Sequence, residues 1–192
     1  MIDRAEMAEN AGASMDAADP AQADDGAGLD HAVFVALGCN DKGAWSSCRE
    51  ALEAALARFR PEGIDIVRRS SWWRSQAWPN PEDPHFLNGV VQVETSLSPQ
   101  ELMATLGRIE DAMGRVRSTR NAPRTLDLDL IAYGRLAGDF DGLILPHPRA
   151  AERLFVMGPL AEIAPEWLHP MGGTAAELAQ AGTVGTDARP VS

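Results

Sequence analysis

The sequence predicts an α+β domain, with helices on one face of a mainly antiparallel sheet. Three observations carry that expectation. Short apolar runs with strand-like patterning recur along the chain. Between them lie two stretches whose apolar residues fall at helical spacing. Their order, β-α-β-β-α-β, is that of a ferredoxin-like sandwich.

Residues 32–37 (AVFVAL) form the first apolar run, which Gly38 ends. Trp45, Cys48, Leu52, Ala55, Leu56 and Phe59 then recur at helical spacing, and Pro61 and Gly63 stop that helix. Residues 64–74, rich in Ile, Val and Trp, read as a strand. A loop over 75–84 carries three prolines and no periodicity, a composition typical of functional loops. Residues 87–95 read as a strand with Val91 and Val93 on one face. Ser98-Pro99-Gln100-Glu101 is a capping box with proline at the first helical position. Leu102, Leu106, Ile109 and Met113 supply the stripe behind it, and Gly114 ends the helix. Strands follow at 125–133 and 143–145, with a brief helix expected around 150–153. Residues 155–163 mix apolar and turn residues and fit no single element.

The chain has 192 residues, and its 28 acidic against 17 basic side chains leave a net charge of −11. That length fits one domain. Eight acids, one base and nine alanines fall in residues 1–30, which have no aromatic residue. Such a segment cannot bury enough apolar surface to offset chain entropy, so a disordered acidic extension is expected there. The domain is expected over 31–171, followed by a Gly/Ala/Thr-rich flexible tail over 172–192. No run approaches eighteen apolar residues, and the start lacks a basic n-region and an apolar h-region. Neither a membrane span nor a secretory signal is expected. Cys39 and Cys48 are too few for a disulfide framework and lack zinc spacing, so they read as packing residues in a reducing cytoplasm. The acidic balance opposes general nucleic-acid binding.

The most informative segment is Arg124-Thr125-Leu126-Asp127-Leu128-Asp129-Leu130-Ile131. Side chains alternate across a strand, so Leu126, Leu128 and Leu130 share a core face while Asp127 and Asp129 share the other. Aspartate is depleted in strands, and two on one face repel unless a cation lies between them. Mg²⁺ held by carboxylates and substrate phosphates answers both points better than a solvated face does. Lys42 is the only lysine, whereas eight of the sixteen arginines fall between Arg108 and Arg153. Arginine offers a planar fork suited to phosphate oxygens. Arg115, Arg117, Arg120 and Arg124 lie in a Gly/Pro-bounded loop, able to close over a triphosphate. His147 stands between Pro146 and Pro148, and structural and ligand roles are equally consistent with it. Phe86 and Asn88 face the same way, and together they suit a flat heterocycle. Taken alone, Phe86 fits core packing better; for Asn88, ligand contact and structural hydrogen bonding weigh the same. No G-x-x-x-x-G-K-[ST], H-E-x-x-H or G-x-S-x-G occurs, so a P-loop and the commonest hydrolase motifs are excluded.

Residues 120–131 (RNAPRTLDLDLI) resemble the signature of the 6-hydroxymethyl-7,8-dihydropterin pyrophosphokinases of folate biosynthesis. The resemblance continues, in order, through Ala36-Leu37-Gly38-Cys39-Asn40, Phe86-Leu87-Asn88, Ile109-Glu110, Pro146-His147-Pro148-Arg149 and Arg153-Leu154-Phe155. It implies a ferredoxin-like αβα sandwich and transfer of pyrophosphate from ATP to the pterin alcohol, with AMP released. By the same resemblance, Asp127 and Asp129 bind two Mg²⁺ ions, and Arg115 and Arg124 stabilise the transferring group. Arg117, Arg124, His147 and Arg153 contact ATP. Asn88 reads the pterin amide edge, and Phe86 and Phe155 sandwich the ring. The expected protein is a cytoplasmic monomer whose partners are ATP and the dihydropterin alcohol, with no nucleic acid or membrane. The family's loop tryptophan is replaced by Asn121, and Trp78 is a candidate substitute plane. A non-catalytic regulatory module and an RNA-binding module of the same topology are the competing readings; neither needs paired aspartates beside loop arginines.

Overall fold

A computed structural model describes residues 28–77, 80–114 and 125–191. In chain order its strands are β1 (Val33–Cys39), β2 (Ile64–Arg69), β3 (Trp73–Ser75), β4 (Phe86–Thr95), β5 (Asp127–Tyr133), β6 (Gly138–Phe140), β7 (Leu143–Leu145) and β8 (Arg189–Pro190). The helices are α1 (Cys48–Ala57), α2 (Pro99–Ala112), α3 (Leu154–Ile163) and α4 (Ala175–Ala181). The main sheet runs β5-β1-β4-β3-β8, with β2 also paired to β4, and every pair in it is antiparallel. β6 and β7 form a separate hairpin. The expected α+β class and antiparallel sheet are both present.

β1 is apolar on both faces because it is buried on both. Val33, Val35, Leu37 and Cys39 meet α1 and α2 through Leu52, Leu56, Leu102, Leu106 and Ile109. Phe34 points the other way, to a second cluster with Val156, Met157, Leu160 and Trp167. Fully burying one such leucine contributes about 1.5–3 kcal/mol. Helices therefore cover both faces, which corrects the one-face arrangement read from the element order and agrees with an αβα sandwich.

Local signals set the helix ends. Ser47 caps α1 by accepting the Glu50 N–H, and the Ser98–Glu101 capping box closes at the start of α2. The strand expected over 64–74 is two strands, because Ser70 turns inward and its hydroxyl accepts the Val90 N–H at 3.0 Å. Residues 148–152 form turns rather than the expected short helix, and the helix begins at Leu154. Gly158 and Pro159 hid it in the sequence. Gly158 is needed because a Cβ there would overlap the Trp73 ring.

The expected boundaries shift at both ends. Leu29 is buried in the second cluster and Asp30 lies 3.8 Å from Arg135, so the folded unit begins before residue 31. Most of the expected extension, residues 1–27, lies outside the described residues. The tail expected over 172–192 instead carries α4, capped by Thr174 and Glu177, and β8, paired with β3. Small residues that read as flexible pack closely here; Ala175 is fully buried. Cys39 and Cys48 are also more than packing residues, because their sulfurs are joined in a disulfide with Cα atoms 5.5 Å apart. The chain turns back between the end of β1 and the start of α1, which brings them together. No helix among the described residues is long and apolar enough to cross a membrane.

His169 closes the second cluster. It is buried, stacks edge-on to Trp167 with centroids 5.5 Å apart, and accepts the Met171 N–H through Nδ1 at 3.1 Å. Burial, reinforced by the Arg135 charge, pulls its imidazole below the ordinary value of 6.5. The unfolded chain then takes up this proton first as pH falls. Stability attributable to neutral His169 is intact above 6.5 and declines below it, toward the folded-state value. Urea unfolding of His169→Gln is expected to lose less stability than wild type between about pH 6.5 and 5; parallel curves would refute the assignment.

Candidate active site

The site grows from the register of three strands. On β1, Gly38 is paired with Asn88 of β4 on one side and Asp127 of β5 on the other, and Ala36 stands between Val90 and Asp129. All these side chains project to the face that α3 covers. Along that face β1 reads Phe34, Ala36, Gly38, and β5 reads Ile131, Asp129, Asp127 in the same direction. The apolar end is sealed by helix packing, with Phe34 edge-on to Trp167 at 5.2 Å. The small and polar end opens into a cleft of about 330 Å³. A Cβ on Gly38 would already lie 3.4 Å from Asn88 Oδ1 and 3.7 Å from Phe86, so a larger side chain would fill the floor.

Asn88 is buried, and its Nδ2 donates to Ser75 Oγ at 3.1 Å. That bond fixes the amide, with Oδ1 toward Gly38. Phe86, which alone reads as core packing, is half-buried and lines the cleft. Phe155 lines it from the first turn of α3, with the Arg153 guanidinium carbon 5.7 Å from the ring centroid. Asn40 Nδ2 donates to the Pro84 carbonyl at 3.2 Å and ties the preceding loop to the end of β1.

Asp127 and Asp129 are half-buried and share the cleft wall with His147, Arg149 and Arg153. The His147 backbone N–H donates to the Ile131 carbonyl at 2.8 Å, which holds its loop beside β5. Its Nδ1 accepts the Arg149 N–H at 3.2 Å, so the neutral ring carries its proton on Nε2. Burial is the main cause that lowers this imidazole from its ordinary value; Asp129 opposes the shift, and Arg153 and Arg149 reinforce it. Burial and then the Arg149 charge also lower the Arg153 guanidinium, against Asp129 and Asp127. Arginine still stays protonated. Among the described residues, no group of three or more His, Cys, Asp or Glu is arranged to hold a metal ion. Two hard carboxylate donors on one strand face are a candidate ligand set for Mg²⁺.

Phe86, Asn88, Asp127, Asp129, His147, Arg153 and Phe155 thus border one cleft. Residues 34–165 match the family described as 7,8-dihydro-6-hydroxymethylpterin-pyrophosphokinase (HPPK). The chain belongs to this family. The 2-amino-4-hydroxy-6-hydroxymethyldihydropteridine pyrophosphokinase of Synechocystis is 44% identical over 144 residues, covering 74% of this chain and 71% of that one. Its counterpart from Pseudomonas aeruginosa is 39% identical over 148 residues, covering 76% and 88%. In fold the chain resembles the Plasmodium falciparum HPPK-DHPS, with a TM-score of 0.61 at 14% identity; the match covers 78% of this chain but 41% of that longer one.

As an HPPK, the chain transfers pyrophosphate from ATP to 6-hydroxymethyl-7,8-dihydropterin in folate synthesis. Membership sets aside the regulatory and RNA-binding readings. Arg115, Arg117 and Arg124, together with Trp78, lie outside the described residues. Several cleft residues were given no role from the sequence: Ala36, Gly38, Asn40, Ser75, Gln76 and Arg149. Ala36, Gly38, Asn40 and Arg149 lie in the motifs of the resemblance, and the first strand also shows a face that shrinks from Phe34 to Gly38.

Glu110 of α2 is another HPPK residue whose part emerges from packing. β5 is the outer strand, so its outward N–H groups lack a strand partner. The buried Glu110 carboxylate accepts the Leu128 N–H at 2.7 Å, between the two aspartates. Glu110→Ala strands that donor and is expected to lower stability by about 1–3 kcal/mol in urea unfolding. Glu110→Gln keeps an acceptor and should lose less; equal losses would discount the bond.

Proposed function

We propose that Asp127 and Asp129 hold two Mg²⁺ ions, with the ATP phosphates over them and the pterin across the cleft. The supporting observation is the shared cleft: two carboxylates on β5 face Phe86 and Asn88 on β4 across a floor of Ala36 and Gly38. Bound Mg²⁺ would neutralise charge on the phosphate oxygens.

The remaining work belongs to the side chains. Phe86 and Phe155 hold the pterin plane between them, and Asn88 reads its amide edge with the atoms left by its bond to Ser75. His147, Arg153 and Arg117 hold ATP. Arg115 and Arg124 supply positive charge to the transferring group. Fixing the hydroxymethyl oxygen in line with the β-phosphorus converts a bimolecular encounter into attack within one complex. The oxygen bonds to the β-phosphorus, the bond to the α-phosphate oxygen breaks, and AMP leaves with that oxygen. The hydroxyl proton is released as the alcohol oxygen becomes an ester oxygen. We also propose that the protein acts as a monomer.

Incubation with ATP, Mg²⁺ and the pterin alcohol is expected to yield AMP and the pterin diphosphate; ADP as product would overturn the reading. Asp129→Ala is expected to abolish AMP formation, and full activity would contradict the metal assignment. Arg124→Ala should lower kcat more than it weakens ATP binding, measured by turnover and by equilibrium titration. An unchanged rate with weaker binding would move Arg124 to a ground-state role.

A further inference from the structure

We infer that the C-terminal strap, residues 183–191, is a positioning element for the pterin wall of the cleft. It acts through Gly185 on Phe155 and through Asp187 on Gln76. The inference rests on the proposed role of Phe155, and it concerns a segment beyond the residues that match the family.

The strap is tied down at both ends. At its start, Thr183 and Val184 donate N–H groups to the Glu152 carbonyl, and the Leu154 N–H donates to the Val184 carbonyl at 2.9 Å. At its end, β8 pairs with β3, and the Val191 N–H donates to the Trp72 carbonyl at 2.8 Å. Between the anchors it crosses behind two different parts of the cleft wall.

The first contact is at Gly185, whose φ of +68° already favours glycine. A Cβ there would overlap Phe155 Cδ1 and stand 3.0 Å from Cε1. The backbone of the strap therefore backs the ring that lines the cleft. The second contact is at Asp187, whose Oδ2 accepts the Gln76 N–H at 2.6 Å. Gln76 lines the same cleft from the end of β3, next to Ser75, the partner of Asn88. One short segment thus links the aromatic wall on α3 to the loop beside the amide reader. These walls come from distant parts of the chain, and the strap spans them.

The test compares KM for the dihydropterin alcohol with KM for ATP in the full chain, alongside thermal unfolding. Gly185→Ala is expected to raise the pterin KM about tenfold, as a displaced ring would. Asp187→Ala is expected to raise it about threefold, the worth of one exposed hydrogen bond. ATP KM should change less than about twofold in both. Asp187→Asn keeps an oxygen acceptor and should recover most of the loss. A lower unfolding temperature with both KM values unchanged, or an equal rise in both, would overturn the strap's role. Phe155→Ala separates the two layers of the argument. If it leaves the pterin KM unchanged, the reading of the wall fails. If it raises the pterin KM while the strap variants do not, only the strap inference fails.

Discussion

Placing β1 between β4 and β5 is the constraint on which this molecule depends. Antiparallel pairing on both sides sets Asn88, Gly38 and Asp127 in one row across three strands. A one-residue slip in either register would turn a cleft-lining side chain to the opposite face. The row is only useful because its centre is empty. Phe34 fills the same face two steps away, so the narrowing from Phe34 through Ala36 to Gly38 converts a packed sheet into a floor. Sealing one end and opening the other takes no loop insertion, only a gradient of side-chain size along one strand.

The same gradient sorts polarity. Ile131, Asp129 and Asp127 follow each other on one face of β5, from beneath α3 to the cleft. On this face of β5, charge begins where the helix layer stops. β5 is also the outer strand, and its unpaired backbone would invite water or another chain at the point where the carboxylates must be aimed. Glu110 answers that from α2, with a buried acceptor at Leu128. The carboxylate pair is therefore held by the sheet on one side and by a helix side chain on the other.

The cleft is finished by elements distant in sequence. The first turn of α3 brings Arg153 and Phe155 to its rim, and the 146–149 loop brings His147 and Arg149. Arg149 and Arg153 share this wall with Asp127 and Asp129, so charge of each sign lies within it. An anionic ligand and a divalent cation are complementary to that wall together in a way that neither is alone.

Much of this was legible in the sequence, because its signals are local. Strand alternation placed Asp127 with Asp129 and Phe86 with Asn88, and the Ser98 capping box marked the start of α2. Both follow from backbone periodicity and nearest neighbours. Four features were decided only by tertiary structure. Helices cover both faces because α3, which the sequence reading did not resolve as a helix, packs on Phe34 and Val90. α3 forms despite Gly158 and Pro159 because Val156, Met157 and Leu160 pack into the second cluster, and Gly158 leaves room for the Trp73 ring. The Gly- and Ala-rich end docks because its lack of side chains permits close approach, whereas composition alone reads as flexibility. Cys39 and Cys48 meet because the chain reverses between β1 and α1. In each case the deciding partner is remote in sequence or defined by chain direction, and contact between such groups exists only once the chain has folded.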